Sequence, residues 1–362
     1  MALIFFRDNL LNILKMGEIK MIKSKSLKKF IALMAIAGLT LSVVGCSSNN
    51  DKESKSSDTK VESSNFKTVE YVYSDGAKDY NVKVDAPKQK AVTLSQFMTE
   101  MLLALDLGDR MVGTALLDNP ILPQFEAAYK KIPELKVGEG HSISKEAFVA
   151  TGADFVSGWD SSINEQTTGS PQELIDKGVA PFMASAYKPD ATINNVYDDF
   201  SLLGKIFGVE DKATEVVNKM KSDIKVVEDK VGDVKEEDRV KMMVYDSGEK
   251  DAMVVGSGLA NNLIEIAGGN NVFGKDAKKP YINVSWESIV QKNPEVILVT
   301  DFLAGQPVKE KIDYLKSNPA LKDVPAIKNN KIYVVKLADL SPGVRNPMVI
   351  EEMHGYFYGD KK

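Results

Sequence analysis

The chain reads as an α/β protein of two Rossmann-like lobes with mainly parallel sheets. Three observations carry this. Short β runs alternate with amphipathic helices along the body, a pattern that covers both faces of a parallel sheet. At about 100–200 residues per domain, 362 residues suit two folded units. One helix–strand unit also recurs without a gap. Residues 144–160 (SKEAFVATGADFVSGWD) align with residues 285–301 (SWESIVQKNPEVILVTD). In each copy a Ser suits an N-cap, a Glu sits in the first helical turn where the macrodipole favours an anion, and a strand ends on an Asp. Capping alone accounts for the Ser and the Glu; their recurrence at equivalent places argues for two similar lobes.

The N-terminal segment reads as an export signal over residues 1–45. Lys23, Lys25, Lys28 and Lys29 precede the apolar run 30–45 (FIALMAIAGLTLSVVG), which is shorter than the about 20 residues a membrane-crossing helix needs. Met21 reads as a better start than Met1. The run ends on Val43, Val44, Gly45 and Cys46, and this segment resembles the bacterial lipobox, whose cysteine is diacylated and becomes the new N-terminus. An ordinary cleaved signal and an anchor helix with a buried free cysteine are the alternatives. Residues 46–66 follow as a flexible tether: 47–65 (SSNNDKESKSSDTKVESSN) holds seven serines and only Val61 as an apolar residue, too little to offset its ordering entropy. Two acyl chains ahead of such a tether would hold a folded body at the membrane surface.

The first lobe is expected over 67–191. Thr68–Tyr73 and Tyr80–Val84 flank Asp75 and Gly76 as a hairpin. Strands follow at Ala91–Leu94, Met111–Ala115, Phe155–Ser157 and Pro181–Ala184, with helices at Thr99–Leu107, Lys145–Thr151 and Pro171–Lys177. Ile193, Val196, Phe200, Leu203 and Phe207 recur at spacings 3, 4, 3 and 4, so 192–208 is a helix, and a further helix runs from about Glu210 to Val231. The second lobe, 209–362, has strands at Val240–Tyr245, Val296–Thr300 and Ile332–Val335 and helices at Leu259–Ala267 and Trp286–Lys292. Ligands of open α/β sheets bind beyond the carboxyl ends of the strands, so the loops at Trp159 and Phe302 would face one cleft.

Charge and composition exclude several classes. Lys and Arg number 46 against 51 Asp and Glu, a net charge of −5. Removing residues 1–45 leaves 39 against 49, near −10, which argues against nucleic acid as a partner. One Cys and two His exclude zinc fingers, iron–sulfur clusters, a disulfide framework and a multi-His metal cage, so no metal site and no cofactor are expected. Residues 269–276 (GNNVFGKD) lack the Ser/Thr of a P-loop, and 256–261 (GSGLAN) lack the third glycine of a dinucleotide fingerprint and read as a tight turn into a helix. Residues 140–144 (GHSIS) lack the last glycine of a nucleophile elbow. His141 and His354 are the two imidazoles available, and His354 reads as lying on a solvated helix face. No nucleophile, base and oxyanion site assemble, so the chain is not read as an enzyme.

Seven motifs then occur in order after the lipobox and the Ser-rich tether: 99–105 (TEMLLAL), 110–114 (RMVGT), 144–146 (SKE), 202–208 (LLGKIFG), 267–273 (AGGNNVF), 284–290 (VSWESIV) and 342–345 (PGVR). Together they resemble the substrate-binding lipoproteins of ABC importers for iron-siderophores, haem and cobalamin, over about Ala86 to Gly359, and the resemblance implies two Rossmann-like lobes bridged by a single long α-helix, here the helix over 192–208. Ala153 departs from the pattern, standing where a Pro usually precedes the Asp. The resemblance implies an extracytoplasmic, lipid-anchored protein that captures an iron chelate and delivers it to an ABC permease dimer driven by a cytoplasmic ATPase. Cobalamin or haem in place of the siderophore, and an extracytoplasmic enzyme acting on such chelates, are the alternatives. A chelate carries its own iron ligands, which suits a chain with two histidines.

Residues on loops after strands are the candidates for the cleft: Ser95, Gln96, Phe97, Trp159, Tyr187, Lys188, Tyr245, Asp246, Tyr281, Trp286, Phe302 and Arg345. Gln96, Trp159, Tyr187, Lys188, Asp246, Tyr281, Phe302 and Arg345 are taken as the ligand-binding set. Aromatic rings stack on a chelate, and Arg345 offers a planar fork of donors for a carboxylate or hydroxamate oxygen. The resemblance also assigns Glu146 and Glu287 to arginines on the two permease subunits, and acylation to Cys46.

Overall fold

The computed structural model describes residues 66–359 apart from 139 and 233; the expected export signal, Cys46 and the tether to residue 65 lie outside the described residues. The first lobe opens with the hairpin β1 (Val69–Ser74) and β2 (Asp79–Val84), paired antiparallel. Asp75 fixes its turn by accepting from the backbone N–H groups of Ala77 at 2.9 Å and Lys78 at 2.7 Å, the local bonding that Asp offers a turn. Next come β3 (Ala91–Leu94), α1 (Gln96–Ala104), β4 (Met111–Thr114), α2 (Lys145–Ala150), β5 (Phe155–Gly158), α3 (Pro171–Asp176) and β6 (Ala180–Phe182). The strands form a parallel sheet in the order β4-β3-β5-β6 and are buried almost throughout, as continuous apolar runs require. Helix α1 starts three residues before the expected Thr99 because Ser95 caps it, its hydroxyl accepting from Met98 N–H.

Two antiparallel helices then join the lobes. The N-terminus of α4 (Ile193–Phe207) lies against the second lobe, where Ile193 N–H donates to Asn262 Oδ1 at 2.9 Å. Its C-terminus lies against the first, where the carbonyl of Phe207 accepts from Arg110 Nη1 at 2.6 Å and that of Ile206 from Lys88 N–H at 3.1 Å. Gly208 ends it at φ +66°, in the left-handed cap conformation. The helix expected over 192–208 is present as α4. The chain itself passes to the second lobe along α5 (Glu210–Val231), 22 residues and so about 33 Å long. Lys212 at its start pairs with Asp106 of the first lobe.

The second lobe contains β7 (Val240–Ser247), β8 (Ala252–Val255), α6 (Leu259–Ile266), β9 (Gly269–Asn271), β10 (Tyr281–Val284), α7 (Trp286–Lys292), β11 (Val296–Asp301), α8 (Val308–Ser317), β12 (Ile332–Lys336), α9 (Leu337–Leu340) and α10 (Asn346–Tyr358). Its sheet runs β10-β8-β7-β11-β12, with β9 beside the first half of β7. β7, β9, β11 and β12 are parallel; β8 and β10 are antiparallel. One apolar core runs through both lobes along α4 and α5, and a second fills the other side of the second sheet around Met243, Tyr245, Trp286 and Ile297. His354 does not face open solvent as expected: it is half-buried, with Nδ1 3.2 Å from the carbonyl of Ala267 at the end of α6.

Candidate functional site

A cavity of about 220 Å³ opens between the lobes, walled by Trp159, Tyr187 and Lys188 of the first and by Asp246, Tyr281 and Phe302 of the second, which also contributes Met253, Leu259 and Leu340. Trp159 follows β5 directly, which puts its ring at the carboxyl end of the first sheet. The ring meets Phe97 edge-on at 5.1 Å and Tyr187 edge-on at 5.5 Å, so Phe97 supports Trp159 and Trp159 supports Tyr187. Tyr187 sits on the turn Ser185–Tyr187, pinned from below by Asp199 of α4, which accepts from Ser185 N–H and Oγ and from Ala186 N–H. Burial raises the Asp199 carboxyl to about 6 even with those three donors. Burial also pushes the Tyr187 hydroxyl up to about 12, with Asp160 and Asp118 adding to it.

In the second lobe, Asp246 ends the buried part of β7 and accepts from Thr300 Oγ1 at 2.8 Å and Ser247 Oγ at 3.0 Å. Burial, then Asp246, Tyr187 and Asp118, raises the Tyr281 hydroxyl far above its ordinary range. Where the lobes approach, Gly258 has φ +84°, and a Cβ there would lie 3.0 Å from the carbonyl oxygen of Lys188, so glycine is required on both counts. The expected tight turn into α6 is this one.

Polar bonds stitch one flank of the cleft. Leu303 N–H donates to the Asp118 carbonyl at 2.8 Å, Asn119 Nδ2 to the Asp301 carbonyl at 3.0 Å, and Ala338 N–H to Asn119 Oδ1 at 3.1 Å. Asp118 itself is half-buried, and its Oδ2 has no hydrogen-bond partner among the described residues. Burial raises its carboxyl to about 6, with His141 opposing the shift. Among the described residues no group of three His, Cys, Asp or Glu is placed to hold a metal ion.

The model of the periplasmic binding protein family matches residues 92–337, two thirds of the chain. The chain belongs to that family. It is 24% identical over 305 residues to the uncharacterized ABC transporter substrate-binding lipoprotein YvrC of Bacillus subtilis (strain 168), covering 84% of this chain and 88% of that one. A periplasmic binding protein of Veillonella parvula superposes with a TM-score of 0.75 at 27% identity, over 82% of this chain and all of the other. Two structures below 25% identity share the fold. An Fe3+-hydroxamate transport protein of Saccharomonospora viridis has a TM-score of 0.62 at 22% identity, over 76% of this chain and 96% of its own. The haem-binding protein RhuT of Roseiflexus has a TM-score of 0.60 at 20%, over 75% and 98%.

Within this periplasmic binding protein, Trp159, Tyr187, Lys188, Asp246, Tyr281 and Phe302 come together on the cavity wall. Gln96 and Arg345 do not, and both expectations are corrected. Gln96 is fully buried: its Oε1 accepts from the N–H groups of Asp118 and Asn119, and its Nε2 donates to Glu100 and to the Pro120 carbonyl. Arg345 is buried at 3% exposure, its Nε and Nη2 on the two oxygens of Glu100, its Nη1 on Asp339 at 2.9 Å and its Nη2 also on the Pro120 carbonyl at 2.7 Å. Its donor fork is occupied by the protein itself. Of the wider set, Ser95 caps α1, Phe97 lies behind Trp159, and Tyr245 is buried with its hydroxyl donating to the Gly248 carbonyl. Trp286 packs in the second core, with Nε1 donating to the Glu249 carbonyl. The sequence reading missed Asp118 and the apolar Met253, Leu259 and Leu340; the rule that ligands meet loops after strands could have found Asp118, which follows β4 by four residues.

Proposed function

We propose that this protein is an extracytoplasmic substrate-binding lipoprotein that captures a ferric siderophore and delivers it to an ABC permease dimer. The observation that carries the reading is the aromatic cavity between two lobes, with Trp159, Tyr187, Tyr281 and Phe302 on facing walls. Rings on both sides grip a flat or bulky organic chelate through stacking and apolar contact, and Lys188 and Asp246 at the wall orient its polar groups. A pocket of about 220 Å³ lies below the about 300–1,000 Å³ of a typical ligand site, so it takes one wedge of the chelate while the rest projects from the mouth. Helices α4 and α5, packed together across both lobes, favour such a preformed site over a wide closure. The family membership supports the transport role, and two histidines in the whole chain fit a ligand that brings its own iron coordination.

Delivery rests on Glu146 and Glu287. Each is exposed in the first turn of its helix, after Ser144 and Ser285 respectively, and among the described residues neither is in an ion pair. Because α2 precedes β5 and α7 precedes β11 in parallel sheets, both helices begin at the carboxyl ends of the strands, on the rim of the cleft. Retention at the outer face of the membrane is assigned to acylated Cys46. The absorbance spectrum of protein purified from its own host tests the ligand: a ferric siderophore gives a charge-transfer band, whereas haem or cobalamin gives its own distinct bands and replaces the siderophore. Turnover of the bound chelate would place the protein among enzymes instead.

A further inference from the structure

Lys311 of α8 is fully buried, and none of the site's polar bonds described above uses it. Its ammonium donates to the Thr300 carbonyl at 2.8 Å and contacts Thr300 Oγ1 at 3.4 Å, and it lies 4.7 Å from the centroid of the Phe302 ring. Thr300 Oγ1 in turn donates to Asp246. Among the described residues Lys311 has no carboxylate within ion-pair distance; Asp246 and Asp301 act on it through space, opposing the effect of burial, which lowers its pKa. Burying an ammonium is costly, and an apolar side chain of the same length would serve the core as well or better. Stability therefore does not account for it. Both groups it touches lead to the cavity wall: Phe302 directly, and Asp246 through Thr300. Phe302 is further confined by Gly305, where a Cβ would lie 2.7 Å from the ring.

We propose that Lys311 is a positioning residue for the cleft: it holds the Phe302 ring by a cation–π contact and, through Thr300, aims the Asp246 carboxylate. This rests on the reading of the cleft as the chelate site and adds a ligand preference. A cation behind the ring draws its π-electrons away from the cavity, so Phe302 presents an electron-poor face that suits an electron-rich or anionic plane.

The test uses the intact protein. In a crystal structure of Lys311→Met the Phe302 ring leaves its place beside Gly305, and Asp246 parts from Thr300. Ferrichrome, hemin and cyanocobalamin are titrated in a Trp286→Phe background, where Trp159 is the one tryptophan left, and the probe that the parent binds loses about ten-fold in affinity with Lys311→Met, while the unfolding midpoint holds or rises. Combining Lys311→Met with Phe302→Leu costs less than the sum of the two. An unmoved ring and carboxylate, equal affinity or full additivity overturns the proposal. A parent that binds none of the three probes overturns the chelate reading, and the crystal structure still decides Lys311. Should Lys311→Met not fold, Lys311→Gln, which keeps a donor for Thr300 without the charge, is judged by the same outcomes.

Discussion

Replacing Arg345 by Ala leaves the carboxylates of Glu100 and Asp339 buried without their cation. We expect Arg345→Ala to lower the unfolding free energy by about 3–5 kcal/mol in urea titrations, the usual effect of stranding a buried charge, instead of acting first on ligand affinity. Asp118 behaves differently. Burial raises its folded pKa to about 6 from an ordinary 3.8, so the folded state holds the proton more tightly than the unfolded chain. Its contribution to stability is present in full below pH 3.8 and is lost as the pH rises through about 6. Asp199, raised to about 6 as well, acts over the same window. Asp118→Asn should therefore reduce the fall in melting temperature between pH 4 and 7 without abolishing it; an unchanged slope would show that Asp118 is not buried as described.

At the scale of elements, α2 and α7 are the same device used twice. Ser144 Oγ accepts from Ala147 N–H and Ser285 Oγ from Ser288 N–H, each at 3.2 Å, and Phe148 and Ile289 bury at the equivalent step. Ser144→Ala or Ser285→Ala should each cost about 1 kcal/mol through the lost cap. If Glu146 and Glu287 dock the permease as proposed, Glu146→Ala combined with Glu287→Ala should leave the unfolding midpoint and chelate affinity nearly unchanged yet abolish uptake in cells, since two charge pairs would act bivalently. Normal uptake by this double variant rules out the docking role. These helices were legible because cap, first-turn anion and apolar step all lie within a few residues. β9 and β10 were not: Gly269–Asn271 carries no apolar alternation, and Tyr281–Val284 is only part-buried, so neither announces a strand until β7 and β8 pair with it.

For the molecule as a whole, the core that runs through both lobes along α4 and α5 predicts one cooperative unfolding transition. Trp159 lies in the first lobe and Trp286 in the second, so Trp286→Phe and Trp159→Phe leave one reporter in each. Their fluorescence midpoints in urea should coincide with each other and with far-UV circular dichroism; separated midpoints would mean that the lobes unfold independently. In cells, Cys46→Ser should release the protein from the membrane or leave an uncleaved precursor, and unchanged retention with an unmodified N-terminus removes the anchor.

The sequence by itself determined the α/β class, the two lobes, the helix over 192–208 and the aromatic character of the loops that form the cleft, because strand and helix patterns, caps and turn residues act over a few neighbours. Which polar loop residues reach the cavity was decided by tertiary structure. Trp159 lines it because β5 ends in the cleft, while Gln96 and Arg345 turn to partners inside the protein. The physical reason is separation along the chain. Arg345 meets Glu100 across 245 residues and Asn119 meets Asp301 across 182, and no local pattern records which of several buried donors and acceptors will pair once the lobes come together. Lys311 is the clearest case: an ordinary lysine in a charged helix by sequence, it becomes a buried cation behind Phe302 only when α8 packs beneath the loop after β11.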